Sequence, residues 1–255
     1  MSDTKIDQTA APSSDPATRR ARRASLPRHA KVRVAKREVA DPAAAFEVLD
    51  LARIAHVGFV DEGRPMVIPM LHARIERTLY IHGAKATRIV KGMQDRAPVC
   101  LTVTLLDGIV VARSAFHHSM NYRSVVVHGA VRHVVGDRER EAALVALTDR
   151  LLPGRWDEVR PMTDKELAAT GVLAIEVEHI TMKRREGPPV DDEADYALPV
   201  WAGVVELAET VTAVTPDERL APDVPLPRSL RGPGAAEAPA APASSPGLSR
   251  GRGAA

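Results

Sequence analysis

Apolar and polar positions change period along this chain, and the changes mark out the elements. Between Pro98 and Leu106 the alternation is strict. Val99, Leu101, Val103 and Leu105 take one face, and Cys100, Thr102 and Thr104 take the other, which is the period of a half-buried strand. Similar short runs at Arg53–Val60, Pro65–His72 and Thr78–His82, with a turn signal at Asp61-Glu62-Gly63, predict a meander of strands. Asp107-Gly108 reads as a two-residue hairpin turn, with Ile109–Ala112 as the return strand. Tyr122–Val135 and Val172–Ile180 predict two more strands. In the first, Gly129 is suited to a bend. In the second, Leu173, Ile175 and Val177 face inward, and Glu176 and Glu178 face out.

Helical signals fall between these runs. Asp41-Pro42 is an N-cap followed by a proline at the first helical position. Thr87 is placed to cap a short helix carrying Ile89, Val90 and Met93. Leu144, Leu147 and Leu151 recur at helical spacing within Gly136–Leu152, and Thr163-Asp164-Lys165-Glu166 is a capping-box signature. About six strands in hairpins with a few short helices, and no regular βαβ alternation, predict a mainly β fold: an antiparallel β-barrel with short helices.

Composition divides the 255 residues into three parts. Residues 1–24 and 209–255 are rich in Ala, Pro, Ser and Arg and poor in large apolar side chains, so both read as disordered tails. Residues 25–208 carry the periodic pattern and form one domain. The net charge of +2 demands no nucleic-acid partner. It is uneven, though: from Arg19 to Arg37 there are nine basic residues and no acid. Such an arm either stays solvated or touches an anionic surface or nucleic acid, which leaves a nucleic-acid-associated protein as one reading. Arg250 and Arg252, each followed by glycine, resemble RNA-binding tails only faintly. The single cysteine, Cys100, allows no internal disulfide, and no apolar run is long enough to span a membrane. No signal-peptide segment follows the early arginine pairs, so the expected location is cytoplasmic.

Two segments concentrate polar chemistry. In the first, Leu79–Arg88, a strand ends at His82-Gly83 and Lys85, Thr87 and Arg88 gather where a helix begins. Free backbone N–H groups, two cations and a hydroxyl suit a phosphate monoester. The alternative is a plain helix cap with two solvated basic residues. In the second, Ser114–Val125, hydroxyls, an amide, a phenol and a guanidinium gather at Ser119, Asn121, Tyr122, Arg123 and Ser124. These groups suit a phosphate or the edge of a polar ring, or simply a basic surface loop. Nine histidines show no metal-ligand spacing, so no metal site is expected. His72 and His82 end neighbouring strand segments and are placed to meet near one pocket.

Taken in order, Ile54–Phe59, Met66–Pro69, Leu79–Gly83, Val99–Thr104, Ser119–Val125 and Gly187-Pro188-Pro189 resemble the pyridoxamine 5′-phosphate oxidase-like split-barrel family. Within it, they are similar to the nitroimidazole-resistance-like, flavin-nucleotide-binding branch. The resemblance implies a split β-barrel that binds flavin mononucleotide (FMN) at the interface of a homodimer. It implies that Lys85, Thr87 and Arg88 grip the phosphate, that Pro69 borders the flavin ring, and that Asn121, Tyr122, Arg123 and Ser124 supply further contacts. His82 falls where relatives place an active-site histidine, and Lys183 matches a basic residue after the last strand. The implied activity is an FMN-dependent oxidoreductase acting on a small molecule, with nitroaromatic reduction as one case. A non-catalytic flavin-binding or stress protein is the rival, and cousins of this barrel use a deazaflavin or haem. The phosphate turn departs from the family's Gly-Arg-Lys, reading Lys-Ala-Thr-Arg instead.

Overall fold

A computed structural model describes residues 16–231; the outer parts of both expected tails, including Arg250 and Arg252, lie outside the described residues. The described residues fall into two units, divided after Thr215. In the second, the 3-10 turn Arg228–Leu230 is the regular element among the described residues.

The first unit holds α1 (Pro16–Ser25), β1 (Glu38–Val39), α2 (Pro42–Leu51), β2 (Ile54–Asp61), β3 (Arg64–Leu71), β4 (Ala73–Ile75) and β5 (Thr78–Ala84). It continues with α3 (Arg88–Gly92), β6 (Pro98–Val111), β7 (Ser119–His133), α4 (Asp137–Leu151), α5 (Asp164–Ala169), β8 (Thr170–Arg185) and β9 (Gly203–Glu206). Helix α1 lies in the expected N-terminal tail, and Arg23 on it pairs with Glu38 at 2.7 Å. No helix among the described residues is long and apolar enough to cross a membrane.

All nine strands join one antiparallel sheet in the order β3-β2-β6-β7-β8-β5-β4, with β1 on β8 and β9 on β6. The sheet curls around a core in which Leu79, Leu101, Leu173 and Ile175 are fully buried. Side chains of β3 (Met66, Ile68, Met70) reach the same core as Leu79 and Ile81 of β5. Strand β3, at one end of the sheet, therefore converges without pairing on β5, the neighbour of β4 at the other end, which makes this a split β-barrel. A second apolar layer lies outside, where Ala143, Leu144 and Leu147 of α4 cover Tyr80, Val172 and Ala174. Strand β8 is thus buried on both faces from Gly171 to Ile175.

The turn between β2 and β3 explains why the barrel stays split. Glu62 and Gly63 both have positive φ (48° and 75°), the geometry of a two-residue hairpin turn whose twist matches the strands. Asp61 and Arg64 then form the closing hydrogen-bonded pair, and pairs alternate from there. Pro65 and Pro69 fall opposite Val60 and His56, at positions whose nitrogens face away from β2. The outer edge of β3 therefore lacks two N–H donors, and proline at such sites blocks further pairing.

Sequence expectations are corrected in places. Asp107-Gly108 is not a hairpin turn, because β6 runs unbroken from Pro98 to Val111 with a bulge between Leu106 and Gly108. A Cβ on Gly108 would approach Val204 Cγ1 and Val205 O at 3.0 Å, so the glycine admits β9 rather than reversing the chain. Strands β1, β4 and β9 were not foreseen. Each is four residues or shorter, too short to show a period. Helix α1 also falls, all but its last residue, within residues read as a disordered tail. Two helix starts sit as expected: the capping box forms between Thr163 and Glu166, and Asp41 caps α2 by accepting from Ala43 N at 2.8 Å.

Gly129 is the bend, since β7 shifts register on β8 between His128 and Gly129. A Cβ there would lie 2.1 Å from Glu176 O, a backbone atom that cannot yield. Gly129→Ala is therefore expected to destabilise the protein by roughly 1–3 kcal/mol, the usual scale of overpacking. Gly136→Ala, where nothing lies within 4 Å of the added carbon, should stay within about 0.5 kcal/mol. Denaturant midpoints of the two variants check this.

Candidate functional site

The split is where a site forms. Ile68, Pro69, Met70 and Leu71 of β3 face His82 and Gly83 of β5 and Thr87, Arg88 and Ile89 across a hollow of about 350 Å³. Four predicted residues meet there: Pro69, His82, Thr87 and Arg88. His82 is half-buried, and its ring Nδ1 is buried without a hydrogen-bond partner among the described residues. Burial also pushes the imidazole pKa down, favouring the neutral form. On its other side, His82 borders a more open hollow of about 670 Å³ with Val159, Arg160, Met162 and Glu166.

The turn after β5 departs from a simple phosphate cap. Thr87 occupies the N-cap position of α3, but its hydroxyl makes no cap bond and instead donates to Ala84 O at 2.7 Å. Helix α3 has five residues, too few for a strong macrodipole. Arg88 is 60% exposed and its Nε lies 3.4 Å from Asp61 Oδ2 at the end of β2. That loose, exposed pair leaves most of the guanidinium free. Lys85 does not join Thr87 and Arg88. It lines two other hollows, one with Arg140 and Trp156 and one with Val90 and His133. The cause is local: Lys85 N donates to Ala169 O at 2.9 Å, which turns the residue toward α5.

Asn121, Tyr122, Arg123 and Ser124 lie far from the split in the same chain. His82 pairs with Val172 on β8, whereas Tyr122 pairs with Arg185, thirteen positions further along that strand. At ~3.3 Å per residue this is about 40 Å of strand. Asn121 is buried, accepts from Arg185 through Oδ1 and donates to Gly187 O at 3.2 Å. The Tyr122 phenol accepts from Arg37 at 3.5 Å, and Lys183 lies 5.7 Å from its ring. Burial would raise the Tyr122 pKa, but the two neighbouring cations outweigh it and hold it below its usual value. Arg123 is committed to Asp107 through a forked pair at 2.7 and 3.1 Å. Ser124 sits in the ladder opposite Thr104 and Lys183. Lys183 itself lies within β8, which runs on to Arg185, not after the last strand.

His72 does not line the hollow with His82. It is 1% exposed, and its Nε2 donates to Leu49 O at 3.0 Å beneath α2. Among the described residues no cluster of His, Cys, Asp and Glu is arranged to hold a metal ion. Residues that the sequence reading left unassigned, Phe116, Arg184 and Arg185, gather beside Asn121 with Lys36 and Arg37. The acid-free basic run ending at Arg37 was the available signal.

With this geometry in view, comparison with known proteins is decisive for the family. The family model for pyridoxamine 5′-phosphate oxidase matches residues 41–184, more than half of the chain. The chain belongs to the pyridoxamine 5′-phosphate oxidase family. The match begins at the N-cap of α2 and ends one residue short of the end of β8, so it spans the strands β2 to β8 that surround the split. Two solved structures are similar over nearly their full length. The flavocytochrome Anf3 from Azotobacter vinelandii is 37% identical with a TM-score of 0.75, covering 80% of this chain and 95% of that one. The FAD and haem binding protein from Mycobacterium smegmatis is 37% identical with a TM-score of 0.73, covering 77% of this chain and 96% of that one. No curated protein sequence matches the chain.

The buried histidines make acid sensitivity calculable in sign. Burial lowers the pKa of His72 and His82 below the ordinary 6.5. In the unfolded chain both take up protons as pH falls through about 6.5, while the folded state resists, so the unfolded state binds more protons. Stability should therefore fall from about pH 7.5 to about pH 5. His72→Gln, which keeps a donor for Leu49 O but cannot titrate, should flatten that slope, as read by denaturant unfolding at the two pH values.

Proposed function

We propose that this protein is a flavin-binding redox protein that holds the FMN moiety in the split of the barrel. The observation that carries the reading is the hollow itself. An edge strand stripped of N–H donors, an imidazole with an unpartnered nitrogen and a largely free guanidinium face one another across it. Pro69 and the β3 backbone border the ring, Arg88 meets the phosphate with Thr87 beside it, and Lys85 adds only long-range positive charge. His82 presents a neutral imidazole as a hydrogen-bond partner at the ring. A bound flavin supplies the electron and hydride transfer, and the protein orients it and tunes its electronics. The partner in the reaction is a small molecule.

The reading includes a homodimer. Asn121, Tyr122, Arg123 and Ser124 cannot reach the split of their own chain, so they act on the flavin of a second copy. Exposed apolar side chains on β3, β6 and β7, among them Val67 (63% exposed) and Met120 (55%), support an interface.

A second reading adds haem. The two relatives at 37% identity are named for flavin and haem together, and both are covered almost end to end. His82 fits such a group by chemistry: its imidazole is held neutral, one ring nitrogen is unpartnered, and it stands between two hollows. A neutral imidazole is the form that ligates haem iron.

Arg88→Ala is expected to weaken FMN binding about 10- to 100-fold, since a charge-assisted hydrogen bond contributes ~1.5–3 kcal/mol. Riboflavin, which lacks the phosphate, should bind both proteins alike. Asp61→Asn, which releases Arg88, should leave FMN binding equal or tighter. Equal FMN affinity in wild type and Arg88→Ala would place the phosphate elsewhere. Absorbance of the purified protein checks the cofactors: flavin bands alone support the first reading, and an added Soret band that disappears in His82→Ala supports the second. Sedimentation should give a dimer.

A further inference from the structure

A further hollow, of about 720 Å³, lies at the other end of the long strands. It is an open depression bordered by the 3-10 turn ending at Arg37, the segment before β7 that carries Phe116, and the chain leaving β8 at Arg185. Four cations and two carboxylates line it. Both carboxylates are already engaged: Glu38 by Arg23 at 2.7 Å, and Glu186 by Arg184 at 3.1 Å. The remaining cations lack acidic partners among the described residues. Arg37 reaches only the Tyr122 phenol, and Arg185 bonds only the neutral carbonyl groups of Asn121, Gly187 and Pro188. Lys36 has no side-chain partner among the described residues. Positive charge left uncompensated in a concave site concentrates the field and draws in an anion.

Phe116 identifies the kind of anion. It stands in the wall of this basic hollow with 89% of its surface exposed, although a phenyl ring gains nothing from water. An exposed ring beside cations that lack acidic partners is a platform for the flat base of an anionic nucleotide.

The geometry points to a nucleotide site in this hollow, with Lys36 and Arg37 on the phosphates and the base stacked on Phe116. Two sources have this chemistry: the adenosine diphosphate half of FAD, or a nicotinamide dinucleotide acting as electron donor. The first source rests on the flavin reading above. It makes the hollow an extension of the Asn121–Ser124 surface, and it makes the preferred flavin FAD instead of FMN. The site itself does not depend on that reading.

The test uses ADP and inorganic pyrophosphate, titrated calorimetrically into the full chain after salt washing to remove bound nucleotide. Both should bind. Lys36→Ala with Arg37→Ala should weaken both at least tenfold, the scale of losing charge-assisted contacts. Phe116→Ala should weaken ADP several-fold and leave pyrophosphate unchanged, a split that general surface charge does not produce. Arg138→Ala, on the exposed face of α4, should change neither. Absence of ADP binding, or ADP binding indifferent to the double variant or to Phe116→Ala, overturns the proposal. FAD, FMN and NADPH then identify the source. Loss of FAD affinity with FMN affinity intact in Phe116→Ala assigns the hollow to the flavin's own tail. Weakened NADPH with FAD unchanged assigns it to the donor. A protein that binds ADP here but takes up no flavin would retain this site and remove the flavin reading.

Discussion

An edge strand without two of its hydrogen-bond donors keeps this barrel from closing. Pro65 and Pro69 occupy the phase of β3 whose nitrogens face away from β2. Were those residues to carry N–H groups, β3 would present a regular ladder to β5, whose side chains already share its core. Closure would satisfy the backbone and fill the hollow beside His82. With proline there, the side chains converge and the backbones do not, and a cleft with an apolar floor and a polar rim remains between them.

The rest of the fold makes that open seam tolerable. A barrel that gives up one ladder must hold its shape elsewhere, and β8 provides this. It pairs with β7, β5 and β1, and it is buried by the core on one side and by α4 on the other. Tyr80, Arg132, Glu139 and Glu176 bind α4 to that outer face. Tyr80 donates to Glu139 at 2.8 Å, and Arg132 reaches both carboxylates. Burial and the adjacent Glu139 carboxylate push the Tyr80 phenol up to about 12, so it remains a donor across the physiological range. His82 is the next residue but one on β5, so the imbalance of rigid and open structure meets at the site.

Polar groups are shared between two ends of one long strand pair. One end has the hollow at the split, with neutral histidine and a nearly free arginine. The other has a basic hollow with an exposed ring. Within one chain they are separate, because the partner of His82 and the partner of Tyr122 stand thirteen positions apart on β8.

The sequence by itself determined the long elements and the pieces of the site. Alternation over Pro98–Leu106 fixed which side of β6 is buried, the Asp41 and Thr163 caps fixed two helix starts, and Gly129 marked the bend, because each depends on neighbours within a few residues. The split-barrel family was legible for the same reason: its motifs are local and ordered. Only the tertiary structure decided which of those pieces meet. Asp107-Gly108 has the letters of a hairpin turn, yet pairing on both sides of β6 holds the chain straight. Lys85 is two residues from Thr87, yet a backbone bond to Ala169 turns it to another hollow. Arg37 and Arg185, 148 positions apart, come together because β7 and β8 carry the chain back to the segment before α2. Such meetings depend on sheet register and strand length summed over the whole barrel, and no window of sequence contains that sum.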